Sequence, residues 1–182
     1  MWNRIPCSER QPLSGAPPPQ SFLQRQADCI STMTYNEYWQ LIDAGLTPAD
    51  LVVFSYEDQG VATLEDGLYV LEQSLADAAM AGGLARFLKA TIRGWAYAAL
   101  HPDEAADIVL AYDETGAQTE VHQRRMMGAV NALVGGGEQG IGFLDPADYQ
   151  RTVEVLLAGG SDPVITKAPE GAWSHQIWDA IH

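Results

Sequence analysis

Leu51-Val-Val-Phe54 and, beyond a turn-rich stretch at residues 57–66, Gly67-Leu-Tyr-Val-Leu71 are short runs that are apolar almost throughout. Runs of this length, bounded by turn residues and lacking polar alternation, read as strands buried on both faces. A third strand is predicted upstream, over Ala27-Asp-Cys-Ile-Ser-Thr-Met33, which is short and partly β-branched. Between the first two of these strands in chain order, Thr34-Tyr-Asn-Glu37 offers helix-capping side chains. Tyr38, Leu41 and Ile42 follow at helical spacing, and Gly45 closes a short helix.

Beyond Ser74 the period changes to that of a helix. Leu84, Phe87, Leu88, Ile92 and Trp95 form one apolar stripe. Pro102, backed by Asp103 and Glu104, is a helix start: proline suits the first position, and the acids favour the positive end of the helix dipole. Ala105, Ile108 and Val109 are predicted to face inward there. A further helix is expected over residues 118–134, burying Met126, Ala129, Val130 and Leu133. Another begins at Asp145-Pro146, buries Tyr149, Val153, Leu156 and Leu157, and stops at Gly159-Gly160. Strands followed by several helices argue for the α/β class.

The chain has 182 residues, 47% of them hydrophobic, which suffices to bury a core. Its formal net charge of −14 argues against attraction to nucleic-acid phosphates or anionic lipid. No apolar run approaches the roughly 18–20 residues of a membrane-spanning helix. Two cysteines, Cys7 and Cys29, make no disulfide framework and no zinc spacing. The start, Met-Trp-Asn-Arg-Ile-Pro-Cys, lacks the apolar stretch of a signal peptide, so the chain as written is expected in the cytoplasm.

Residues 1–26 differ from the rest. They hold five of the ten prolines, and the run Pro17-Pro18-Pro19 favours an extended polyproline conformation. Three arginines and one glutamate give them a charge of +2, leaving −16 on residues 27–182. The first 26 residues therefore read as a disordered or unrelated proline-rich segment ahead of the domain.

Recognisable catalytic motifs are few. Gly135-Gly-Gly137-Glu-Gln-Gly140 has the form GxGxxG, but it follows a predicted helix rather than a strand and reads as a connection between helices. His101, His122, His175 and His182 fall into no metal-ligand spacing and read as solvated side chains. More informative is Tyr35-Asn36-Glu37, at the carboxyl end of a predicted strand and the amino end of a helix, where open α/β sheets bind ligands. An aromatic ring, an amide and a carboxylate can stack on a flat heterocycle and bond its edge. Helix capping by Thr34 or Asn36, with Tyr35 as packing, is the competing reading. Tyr56-Glu-Asp-Gln59-Gly60, after the run at residues 51–54, repeats this arrangement and reads equally as a solvated turn.

At these loops the chain resembles a known family. The stretches Gln26-Ala-Asp-Cys-Ile-Ser-Thr-Met-Thr-Tyr-Asn-Glu37, Gly67-Leu-Tyr-Val-Leu71, Phe87-Leu-Lys-Ala-Thr-Ile-Arg-Gly-Trp95, His101-Pro-Asp-Glu-Ala-Ala-Asp-Ile-Val109 and Gly142-Phe-Leu-Asp-Pro-Ala-Asp-Tyr-Gln-Arg-Thr152 carry the likeness. They resemble the C-terminal half of ABC-importer substrate-binding proteins of the thiamine-pyrimidine-synthase-like (NMT1-like) family, over about residues 22–182. The resemblance implies an incomplete two-lobed fold of periplasmic-binding-protein type II, with Tyr35, Asn36, Glu37, Tyr56 and Gln59 at a cleft that holds a small heterocycle. It also implies an ABC permease as partner and, for full-length members, a periplasmic location. No cofactor belongs to that role. The enzyme branch of the family builds the thiamine pyrimidine from histidine and pyridoxal phosphate with iron, yet no cysteine cluster or matching lysine is visible here. A truncated remnant is the third reading: half of a two-lobed fold leaves strand edges and apolar faces uncovered.

Overall fold

The helices expected from periodicity form, and their ends fall at the residues that punctuate them. The computed structural model describes residues 18–134, 139–159 and 163–182. Among these the helices are α1 Pro18–Leu23, α2 Glu37–Asp43, α3 Glu72–Ala76, α4 Ala78–Leu100, α5 Pro102–Ala111, α6 Glu120–Val134, α7 Pro146–Leu157 and α8 Gln176–Asp179, with a 3-10 turn at Pro48–Asp50. Proline occupies the first position of α5 and α7, where its missing N–H costs no helical bond. Asp145 caps α7 by accepting the Ala147 N–H at 2.7 Å. Gly45, at φ +101, turns the chain out of α2.

Two expectations fail. Pro18 and Pro19 open α1 rather than continuing an extended polyproline run; residues 1–17 lie outside the described part. More consequentially, no strand forms among the described residues, so the α/β expectation is not met and the chain is helix-rich. Residues 27–33, 51–54 and 67–71 have strand composition but form no ladder among the described residues. The physical reason is that a strand, unlike a helix, takes its backbone partners from another segment. Here the apolar side chains meant for a sheet stand in solvent: Val52 is 83% exposed, Phe54 73% and Tyr69 85%.

The chain divides into two compact units, one from residues up to Val52 with Tyr97–Leu133, the other from Val53–Ala96 with Val134–His182. In the first, Leu41 of α2, Ala98 of α4, Ala105 and Ala106 of α5, and Met127 of α6 are buried. Arg124 of α6 reaches Asp103 and Asp107 of α5 at 2.9 and 2.8 Å, and Glu120 one turn back at 3.0 Å. Asn131 donates its amide to the Ala98 carbonyl at 3.0 Å. The buried face of α6 is rotated from the expected one: Gln123 and Met127 are covered, whereas Leu133 is exposed. On α5, Ile108 and Val109 are likewise exposed, and the small Ala105 and Ala106 take the inner face.

In the second unit, Leu88 of α4 and Val153 of α7 are buried. Gly142, at φ +90, lets the backbone approach both Leu88 and Trp178; a Cβ there would lie 3.1 Å from Leu88 Cδ1. Phe143 stacks on the His175 ring at 4.5 Å and meets Trp178 edge-on at 5.6 Å. His175 Nε2 is 2.7 Å from the Leu144 carbonyl, so this histidine is part of the packing rather than solvated. The motif over residues 135–140 lies largely outside the described residues.

Leu41→Ala should lower stability by about 2–4 kcal/mol, measured by urea unfolding, because the removed side chain is almost wholly covered. Asp113 gives a pH test. The Thr115 hydroxyl, then the N–H groups of Gln118 and Thr115, donate to its carboxylate and hold it below its ordinary value of 3.8. A depressed carboxyl stabilises the fold above the ordinary range and loses that contribution as the pH falls through the folded value. Thr115→Val should therefore move the Asp113 titration upward in carbonyl-detected NMR.

Candidate functional site

Tyr35, Asn36 and Glu37 arrive together at the amino end of α2, all half-buried. Asn36 occupies the N-cap position, yet its side chain makes no capping bond. Its carbonyl oxygen instead accepts from Gln40 Nε2 at 3.0 Å and lies 3.0 Å from His122 Nε2 of α6. Because that oxygen is an acceptor, the His122 ring donates from Nε2, which leaves Nδ1 turned towards Asp43 Oδ2 at 3.9 Å. Glu37 ties the preceding chain to the helix start: its carboxylate accepts the Met33 N–H at 2.8 Å, and its other oxygen is 3.4 Å from the Asn36 amide nitrogen.

Around this pair the second shell of side chains comes from the same two helices. Arg125 of α6 forms an ion pair with Asp43 of α2. Its guanidinium also lies over the Trp39 indole, 5.4 Å from the ring centre, a cation–π geometry. Tyr38 meets Trp39 edge-to-face at 5.3 Å. The Trp39 indole N–H is buried without a hydrogen-bond acceptor among the described residues. Buried donors of this kind are uncommon, and each calls for a partner.

His122 therefore is not the solvated histidine that its exposed-looking helix position suggests; its side chain is 12% exposed. His122, Arg125, Trp39 and Asp43 are the residues that sequence reasoning missed. A signal for them exists. Asn36, Trp39, Gln40 and Asp43 recur at the spacing of one helical face, and His122 and Arg125 lie three apart on another. What the spacing cannot supply is that the two faces meet across 86 residues of chain.

Tyr56 and Gln59 belong to the second unit, in a tight turn. The Tyr56 carbonyl accepts the Val61 N–H at 2.9 Å, the Gln59 N–H reaches the Ser55 carbonyl at 3.2 Å, and Gly60 takes φ +68. Both side chains are exposed, Tyr56 at 56%.

The model of the NMT1/THI5-like family matches residues 13–105, just over half of the chain, and that span includes α2 with Tyr35, Asn36 and Glu37. The chain belongs to the NMT1/THI5-like family. The family's fold is of the periplasmic-binding-protein type, and membership points to a binding or thiamine-related role. No curated protein and no solved structure matches the chain.

Asn36→Ala and His122→Ala remove the two ends of one contact. A double-mutant cycle by urea unfolding should return a coupling of about 1 kcal/mol, the scale of one partly buried hydrogen bond. Simple additivity would show that the α2–α6 contact contributes nothing.

Proposed function

We propose that this NMT1/THI5-like chain belongs to a solute-binding protein that takes a small, flat, nitrogen-containing heterocycle of the thiamine-pyrimidine type. The observation that carries the reading is the surface at the amino end of α2. There Tyr35 and Trp39 supply rings, Asn36 and Glu37 supply an amide and a carboxylate, and the Trp39 N–H is a buried donor with no acceptor among the described residues. A heterocycle offers a ring nitrogen that can accept the indole proton. The polar atoms of Asn36 and Glu37 hold His122, Gln40 and Met33. Binding therefore exchanges those bonds for bonds to the ligand, with α6 giving way at His122.

On this reading the partner is an ABC permease, and the whole protein acts in the periplasm. The enzyme reading requires a lysine to hold pyridoxal phosphate and a cluster to hold iron. Lys89 and Lys167 are both exposed, and among the described residues no group of three or more His, Cys, Asp or Glu converges as a metal site. The residues present do not fit either group, and no reaction step is derived from them.

Hydroxymethylpyrimidine at saturating concentration should raise the melting temperature of the protein, since a ligand that binds only the folded state stabilises it. Glu37→Gln, which keeps the shape but removes the charge, should reduce that rise. Trp39→Phe, which removes the N–H while keeping an aromatic ring, should reduce it as well. A rise unchanged in both variants would remove the α2 surface from the binding site.

A further inference from the structure

Helix α4 carries no acidic residue along its 23 positions, in a chain whose net charge is −14. Its charged residues are all positive. Arg86, Lys89 and Arg93 stand at i, i+3 and i+7, so they form one row along the helix, about 10 Å long at about 1.5 Å per residue. All three are exposed. On the other helices the arginines are tied to carboxylates: Arg124 to Asp103, Asp107 and Glu120, Arg125 to Asp43, and Arg151 to Asp148. No carboxylate among the described residues forms an ion pair with the α4 row. A row of this kind belongs to a face turned to water and not to an apolar interior, because burying an unpaired charge costs more than packing returns.

Charge and spacing together select what can dock there. Two of the three heads are guanidinium groups, which match carboxylates in paired, planar hydrogen bonds. A nucleic acid or an anionic bilayer would bring an extended negative field against the chain's 24 acidic side chains, whereas a short acidic segment meets the row alone. On a facing helix, carboxylates at i, i+3 and i+7, or at i, i+4 and i+7 when antiparallel, reproduce the rise of the row residue for residue. A second copy does not supply that face. Among the described residues no helix carries three acids at either spacing, and Asp103 and Asp107 of α5 already hold Arg124. We propose that the Arg86–Lys89–Arg93 face of α4 is a docking surface for an acidic helix of a different polypeptide, one that carries its carboxylates in a single row.

The test uses the full chain and fluorescence anisotropy at low salt. One probe is a capped, labelled, alanine- and glutamine-based helical peptide with glutamates at i, i+4 and i+7; the other is its isomer with the same three glutamates spread around the helix. The row peptide should bind at least about tenfold more tightly than the isomer, the scale of a few ion pairs, and less tightly as salt rises. Arg86→Gln/Lys89→Gln/Arg93→Gln should abolish that preference. Lys89→Glu alone should weaken the row peptide, and a peptide with lysine in place of its middle glutamate should recover the lost binding to this variant. Equal binding of row peptide and isomer would overturn the proposal, as would a preference that survives the triple substitution. Tighter binding of double-stranded DNA or of phosphatidylserine vesicles than of the row peptide would overturn it too, since the face would then serve an extended polyanion.

Discussion

A peptide group in a helix finds its partner four residues away, whereas a peptide group in a strand must find it in a different segment. That difference in where backbone hydrogen bonds close governs this chain. Segments of helical period complete their own ladders and become α2 and α4–α7. Residues 51–54 and 67–71, rich in residues that favour strands, have no neighbouring strand among the described residues and remain irregular. Their apolar side chains are left in water as a direct consequence. The small set of buried residues (Leu41, Leu88, Ala98, Ala105, Ala106, Met127 and Val153) comes from helices alone.

Within the first unit, polar contacts supplement the sparse apolar burial. Asn36, Asp43 and Trp39 on α2 meet His122 and Arg125 on α6 through a hydrogen bond, an ion pair and a ring contact. Arg124, one residue away on the same helix, faces the acids of α5. Successive arginines thus hold two different helices, because adjacent positions on a helix point about 100° apart. The same α2 surface carries the residues proposed to bind a heterocycle.

What could be read from the sequence was the local part. Asp145-Pro146 marked the start of α7 and Pro102 that of α5, since capping and dipole effects act within one turn. Gly45 marked the end of α2 for the same reason. The amino end of α2 was singled out before any contact was known, because an aromatic, an amide and a carboxylate sit side by side there. His122 was misjudged because its burial depends on Asn36 and Asp43, far away in the chain. The face of α6 was misjudged because Met126, Met127, Ala129, Val130 and Leu133 admit more than one apolar stripe, and only packing chooses between them. The strands were misjudged for the deeper reason: composition states that a segment suits a sheet, and says nothing about whether the rest of the sheet is there.

Amide hydrogen exchange, read residue by residue, tests this account most directly, because it reports which backbone groups are bonded. The amides of Leu68, Tyr69 and Val70, and those of Val52 and Val53, should exchange at nearly the rate of an unfolded chain, while the interiors of α4, α6 and α7 exchange slowly. Slow exchange at Leu68–Val70 in the isolated protein would show a ladder already in place and would contradict the claim that these strand-type segments lack their partners.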